Sequence, residues 1–489
     1  MAALFLSFAS HALDKGAVEK LASDDNDEKI AAIAALVAEG DPKAADVLRQ
    51  AAEGEVEIGG KKVEIVMNNR VRGRIAEALS VLKLLSSDRG ERAAAVKALA
   101  GGADSSMLPL ILKASEKEAD AEIKAQLDMI AAGMQIKSED KATRLAAIRM
   151  LGESGNPNAR ALLTEAASDP DAEVKAEAER SLSGVQSRLV WGEWLGLAFA
   201  GVSLGSILLL AALGLAITYG LMGVINMAHG ELIMIGAYTT YVVQGFFRNS
   251  SFFDWYLLAA VPASFLVAGL VGMALERSVI RWLYGRPLET LLATWGISLM
   301  LIQAVRTIFG AQNVQVENPA FMSGGIQALS NVVLPWSRIW IILFAALVLF
   351  LVYLLLTKTR LGLYIRGVTQ NRDMAACVGV PTARIDTWAF GLGSGIAGLA
   401  GCALSQLGNV GPDLGQGYIV DSFLVVVFGG VGQLAGTVYA ALGLGLANKL
   451  LESWSGAVLA KIALLVFIII FIQRRPQGLF ALKGRAVEA

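Results

Sequence analysis

The sequence predicts an all-α chain in two parts, an N-terminal helical-repeat solenoid followed by a polytopic α-helical membrane domain of about nine spans, some broken or re-entrant. Three observations predict it. Charge is unevenly divided: residues 1–190 hold 31 acidic and 25 basic side chains, net −6, whereas the remaining 299 residues hold 12 and 17, net +5. Apolar runs close to the ~20 residues that cross a bilayer recur in the second part only. An internal repeat is visible in the first part. The whole-chain charge of −1 therefore averages two unlike halves and says nothing about partners.

Residues 1–18, "MAALFLSFASHALDKGAV", read as a weak or truncated signal segment with a cleavage-like Ala-Ser-His-Ala stretch; without a basic start, an ordinary apolar first helix is the alternative. Two segments then superpose, "DEKIAAIAALVAEGDPKAADVLRQAAEGE" from Asp27 and "DKATRLAAIRMLGESGNPNARALLTEAASDPD" from Asp140. Each reads as a helix with apolar i, i+3, i+4 spacing, a Gly-Asp-Pro or Gly-Asn-Pro turn, and a second amphipathic helix. A poorer copy starts at Glu91. Over residues 19–186 this grammar resembles HEAT repeats, in which each helical pair buries its apolar face on its neighbours. "VEIGGKKVEIV", residues 56–66, reads as a small hairpin inserted in the solenoid. His11 has no catalytic or metal-ligand company, so this part reads as a scaffold or docking surface.

Residues 187–194 read as a linker and 195–489 as the membrane domain. Spans are expected near 195–219, 231–247, 256–275, 289–309, 339–357, 386–406, 420–430, 434–451 and 458–473. Three segments are basic: Arg277, Arg281 and Arg286; Lys358, Arg360, Arg366, Arg372 and Arg384; and Arg474, Arg475, Lys483 and Arg485. Residues 310–337 and 406–420 hold no Lys or Arg. The positive-inside rule places the basic segments and the C-terminus in the cytoplasm, and counting back through nine spans places the solenoid in the periplasm.

The chain has no phosphate-binding G-x-x-x-x-G-K-[ST] loop, no HExxH, no CxxC and no G-x-S-x-G. With one His in the membrane half, a His-rich metal site is excluded; no catalytic residue, resident metal or cofactor is expected, and no nucleic-acid partner. What stands out is polar content inside apolar spans: Asn226 and His229, Thr294, Trp295 and Gln303, and the glycines Gly429 and Gly430. Such groups line a solute path or serve as helix-to-helix hydrogen bonds and caps, and both readings stay open here. Glu231 and Asp421 read as membrane-edge residues, where charge costs little. Between the fifth and sixth spans, an amphipathic segment ending at Pro381 suits docking into a groove on a soluble partner.

"SLGSILLLAALGLAITYGLMGVINMAHGELIMIGAY", "RPLETLLATWGISLMLIQ", "NRDMAACVGVPTARIDTWAFGLGSGIAGLAG" and "VVVFGGVGQLAGTVYAALGLG" together resemble the permease subunits of bacterial ABC importers for branched-chain amino acids and urea. The added repeat domain and the "RPLETLLATWG" wording are similar to the urea branch. The resemblance implies a multi-pass subunit of the bacterial inner membrane that imports urea with a second permease subunit, two ATPase subunits that hydrolyse the ATP, and a periplasmic solute-binding protein. It also implies a coupling helix with Arg366, Gln370, Asn371, Arg372, Ala375 and Gly379 at the ATPase contact. Asn226, His229, Thr294 and Gln303 would serve a neutral solute, since urea needs amides, hydroxyls and carbonyls rather than a charge. The alternatives are an importer of branched-chain amino acids or short amides, and a passive urea channel.

Overall fold

The computed structural model describes residues 15–480, apart from 24, 40–41, 59–60, 65–67, 85, 87, 101–106, 155, 224 and 330. Most of the expected signal segment, with His11, lies outside the described residues. The chain divides into two units between Trp191 and Gly192. The first runs α1 (Lys15–Lys20), α2 (Asn26–Glu39), α3 (Pro42–Glu53), β1 (Glu55–Ile58), β2 (Lys61–Glu64), α4 (Asn69–Lys83), α5 (Arg89–Leu99), α6 (Leu108–Lys117), α7 (Ala121–Gln135), α8 (Lys141–Glu153), α9 (Ala159–Ala166) and the start of α10 (Ala172–Met222). The strands β1 and β2 pair antiparallel, as the hairpin reading expects, with turn residues 59–60 outside the described set.

Two apolar clusters follow one another along this unit. One includes Leu36, Leu48, Ile75, Val96 and Ile111, and the next Ile148, Leu151, Leu163 and Val174. A polar device recurs at the starts of α5 and α8, in the pattern Ser-x-Asp-x-x-x-Arg. Asp88 and Asp140 accept from backbone N–H groups of the first turn, satisfying donors a helix start leaves unpaired. Four residues on, Arg92 and Arg144 reach back to the carbonyls of Ser86 and Ser138, at 3.1 and 2.9 Å, and forward to Glu118 and Asp169 of the following segments, at 2.8 and 3.2 Å. In these two places one guanidinium thus stitches the first helix of a helical pair to the residues that follow its second helix.

In the second unit the rest of α10 is followed by α11 (His229–Phe247), α12 (Tyr256–Ser278), α13 (Pro287–Phe309), β3 (Gly325–Leu329), β4 (Val332–Pro335), α14 (Trp336–Lys358), α15 (Arg360–Gln370), α16 (Arg372–Cys377), α17 (Thr382–Ser405), α18 (Leu414–Gly429), α19 (Leu434–Ser455) and α20 (Ala457–Arg474). Each of the nine expected spans falls on a helix. Among the described residues seven helices are long and apolar enough to cross a membrane; α11, diluted by His229, Glu231 and Gln244, and the 16-residue α18 carry the other two expected spans. The expected linker, residues 187–194, is helical: "QSRLVWGEW" has no Pro and lies within α10. Two expectations are corrected. The basic connection between α14 and α17 holds two helices, not one, because Asn371 is extended (φ −154°) between α15 and α16. The uncharged stretch after α13 carries the antiparallel hairpin β3–β4, and the one after α17 shortens because α18 starts at Leu414.

Helix α17 sits at the centre, almost wholly buried. Its sequence "GLGSGIAGLAG" lets backbones touch where lipid-facing Leu and Phe would hold them apart, which matters because apolar side chains gain nothing by leaving hydrocarbon for one another. A Cβ on Gly236 of α11 would run into the Gly398 carbonyl, one on Gly214 of α10 into the Gly393 carbonyl, and one on Gly272 of α12 into Ser394. Three helices therefore lie directly on α17.

Glu118 is held below the usual carboxylate range, first by its hydrogen bonds from Arg92. A carboxyl with a lowered folded pKa contributes stability that is complete above its unfolded value, about pH 4.3, and lost as pH falls through the folded value. Arg92→Ala is expected to destabilise the α5–α6 region by about 2 kcal/mol at neutral pH, read as faster amide hydrogen exchange there in the full chain. The difference from wild type should shrink as pH drops below ~4; an unchanged exchange profile would contradict the stitching role.

Candidate functional site

Helix α10 ends at Met222, and a short irregular stretch containing Gly223 at φ +65° leads into α11. Asn226 shapes that entrance: its Oδ1 accepts from the backbone N–H of Ala228 at 3.0 Å, a local turn that starts the helix. The next N–H, on Met227, donates to Thr294 Oγ1 of α13 at 3.2 Å, while Thr294 itself donates to the Thr290 carbonyl at 2.8 Å. One helical turn further along α13, Ser298 Oγ donates to Glu231 Oε1 at 2.8 Å. Thr294 and Ser298, four residues apart, face the start of α11 on one stripe. The result is a buried polar seam between α11 and α13.

Among the described residues, two side-chain atoms in that seam have no partner, Asn226 Nδ2 and Glu231 Oε2. Glu231, in the first turn of α11, is not solvated but 1% exposed. Each such orphan costs about 1–3 kcal/mol when buried, and an ionisable group inside a membrane bundle is by default a functional one. Asp421, by contrast, is paired with Lys461 at 3.2 Å.

The other expected path residues go elsewhere. His229 turns from the seam and puts Nε2 2.9 Å from the Ala211 carbonyl of α10, so that nitrogen carries the proton. Its ring fills the space beside Gly214, which makes it a helix-to-helix hydrogen bond. Trp295 is 53% exposed and Gln303 is exposed on the outer face of α13. Gly429 lies against the Gly436 backbone, and Gly430, at φ +102°, ends α18 beside the C-terminal segment, where Phe480 N–H donates to the Gly429 carbonyl at 3.3 Å. A groove of about 740 Å³ between α10, α14, α15 and α19 is largely apolar, lined by Leu349, Phe350 and Val438 among others, and is separate from the seam. Its lining offers no orphaned buried polar atom, so the seam is the better solute candidate. Among the described residues no cluster of His, Cys, Asp or Glu is placed to hold a metal ion.

In the two-helix segment, Thr359 Oγ1 caps α15 at Gly362 N–H and Asn371 Oδ1 caps α16 at Met374 N–H, at 3.2 and 2.9 Å; Gly379, at φ +86°, ends it. Gln370, Asn371 and Gly379 are exposed, as docking requires. Arg366 is exposed but bends back onto the Leu356 carbonyl, Ala375 is buried, and Arg372 turns inward to Asp386 of α17. The sequence reading missed the residues that do project: Met374 and Val378, 60% and 76% exposed and one turn apart. The period-3.6 pattern contains them, but gives no hint which face is inward when the helix is so short.

A set of membrane helices on a glycine-rich centre, an orphaned polar seam and an exposed two-helix segment suit a multi-pass membrane transport protein. Residues 197–473 match the family model for the permease component of branched-chain amino acid transport systems, and the chain belongs to that family of multi-pass ABC permease subunits. Residues 127–188 match HEAT repeats. Similar proteins include the high-affinity branched-chain amino acid permease LivH of Escherichia coli, 27% identical over 289 residues, 58% of this chain and 93% of LivH. BraD of Pseudomonas aeruginosa, named for the same transport, is 28% identical over 287 residues, 57% of this chain and 93% of BraD. No solved structure matches the chain.

The separation of roles is testable in the assembled protein. Asn226→Ala and Glu231→Gln are expected to lower transport about tenfold or more at unchanged membrane abundance, whereas His229→Ala, which removes a helix-to-helix bond, should lower abundance and thermal stability. Normal transport in both seam variants would exclude the seam as the solute path.

Proposed function

We propose that this chain is the membrane-spanning permease subunit of an ATP-driven urea importer, working with a second permease subunit, two ATPase subunits and a periplasmic solute-binding protein in the bacterial inner membrane. The observation that carries the solute reading is the orphaned pair in the α11–α13 seam, Asn226 Nδ2 and Glu231 Oε2. Urea offers one carbonyl acceptor and four N–H donor positions, so a seam with one unused donor and one unused acceptor suits it. Among the described residues, no Lys or Arg is hydrogen-bonded or ion-paired to Asn226, Glu231, Thr294 or Ser298 to receive a solute carboxylate. In this reading the solute passes between α11 and α13, with affinity supplied by the binding protein.

The segment α15–α16 docks an ATPase, with Gln370, Asn371, Met374, Val378 and Gly379 outermost. Met374 and Val378 suit an apolar cleft, as a helix laid in a groove requires. The basic ends of the helices lie in the cytoplasm and the helical-repeat unit lies in the periplasm.

A second reading, import of a branched-chain amino acid, is favoured by the names of the relatives and by Glu231, whose carboxylate suits a solute ammonium. One assay separates the readings: uptake of micromolar radiolabelled urea and leucine in cells with and without the gene, before and after ATP depletion. Urea uptake that disappears on deletion and on depletion is the expected result. Loss of leucine uptake alone would select the second reading, and gene-dependent urea flux that survives depletion would replace both with a passive channel.

A further inference from the structure

Arg372 begins α16, yet its guanidinium points into the body of the membrane unit. It forks onto both carboxylate oxygens of Asp386 on α17, with Nη1 3.3 Å from Oδ1, and its Cζ lies 5.1 Å from the centre of the Tyr284 ring. Behind the ring a second acid is engaged. The Tyr284 hydroxyl donates to Glu276 Oε1 of α12 at 3.1 Å, and Thr387 Oγ1 of α17 donates to Glu276 Oε2 at 2.7 Å. Arg281 closes the set, with Nη2 3.2 Å from Thr387 Oγ1 and 3.5 Å from Glu276 Oε2. The side chains of Glu276 and Asp386 have no solvent exposure, while the two arginines are part-exposed. Two acids and two bases balance.

Buried ion pairs add little net stability, because desolvation offsets their attraction, but they fix geometry. A forked guanidinium seated on an aromatic face sets direction and register, where an apolar contact at the same place would slide. The register fixed here is between the exposed helix α16 and the helix with least freedom in the unit. A displacement at Asp386 cannot be absorbed by repacking side chains along α17, since its neighbours meet it backbone to backbone: Gly393 on Gly214, Gly398 on Gly236, and Gly401 on the Ile233 carbonyl. The last two contacts are on α11, the helix that carries Glu231.

We propose that the Arg372–Asp386 pair, with Tyr284, Glu276, Thr387 and Arg281 around it, is the joint that passes movement of a docked ATPase to α17 and through it to the α11 wall of the seam. The proposal rests on the reading of α15–α16 as the docking segment. Arg372 and Asp386 are positioning residues: they touch neither solute nor nucleotide. The joint holds in both directions, since a fork resists separation and rotation alike.

The test uses the full complex in proteoliposomes, with radiolabelled urea and leucine as probes, and reads ATPase subunits retained, ATP hydrolysed and solute moved per ATP. Arg372→Ala is expected to keep the ATPase subunits and their hydrolysis while solute moved per ATP falls about tenfold. The reversed pair, Arg372→Asp with Asp386→Arg, should restore most of that loss. Arg372→Lys, which keeps the charge and lacks the fork, folds without an unpaired buried acid and should lose about threefold or more. Wild-type coupling in Arg372→Lys and Arg372→Ala, or no recovery in the reversed pair, would overturn the joint. Met374→Asp with Val378→Asp reports separately on docking: ATPase subunits lost from the purified complex support it, and subunits retained would overturn the docking reading whatever the Arg372 variants do.

Discussion

The architecture depends on one constraint: inside hydrocarbon, helices cannot be held together by hiding apolar side chains, so they must be brought close enough for backbone and small-residue contact. Helix α17 meets that constraint. Its run of Gly, Ala and Ser between Gly391 and Gly401 gives α10, α11 and α12 a surface on which carbonyls meet α-carbons. Bulk is placed instead on the outer faces of α13, α14 and α20, where Leu299, Leu347 and Phe467 are exposed. Size, not polarity, sorts inside from outside here.

Against that background the polar groups divide by whether they are satisfied. Tyr256 on Gln406 at 3.0 Å and Glu276 on Tyr284 and Thr387 are engaged and join helices, whereas His229 joins α11 to α10 through Nε2 and leaves Nδ1 without a partner among the described residues. Asn226 and Glu231 each use one side of the side chain to build the entrance to α11 and leave the other unused. Unused hydrogen-bonding capacity in a buried seam is what a solute with N–H and carbonyl groups would find there. The two-helix segment is held by buried Ile365, Val368 and Ala375, and the Arg372–Asp386 ion pair adds to that apolar contact a fixed register against α17.

Much of the fold could be read from residues alone. Apolar run length gave the positions of the membrane helices, and the repeated helix-turn-helix grammar gave the solenoid, because both signals are local. The face of each residue was harder to assign. Amphipathicity identifies the inner face of a helix in water, but with lipid outside it carried no information on which way Trp295 and Gln303 turn on α13. The burial of Glu231 is not legible in the sequence because its partner, Ser298, is 67 residues away. The inward turn of Arg372 is hidden in the same way, since Asp386 lies beyond a turn and a helix start. Some signals were local and were passed over: "QNRD" is a helix-start pattern that announces the break at Asn371, and the absence of Pro or a turn residue pair in "QSRLVWGEW" announces a continuous α10.

If the Arg372–Asp386 joint carries movement of α16 to α17 and the α11 wall of the seam, α16 and α11 keep their separation while the separation of α16 from α13 changes. Spin-label distances in the assembled complex test it directly, with one label on the exposed Cys377 of α16 after buried Cys402 is replaced by Ala, and the second on either Phe246 of α11 or Leu299 of α13. Between the nucleotide-free and ATP-bound states, the Cys377–Phe246 distance should stay constant and the Cys377–Leu299 distance should change by several ångströms. A change in the first distance as large as in the second would contradict the claim.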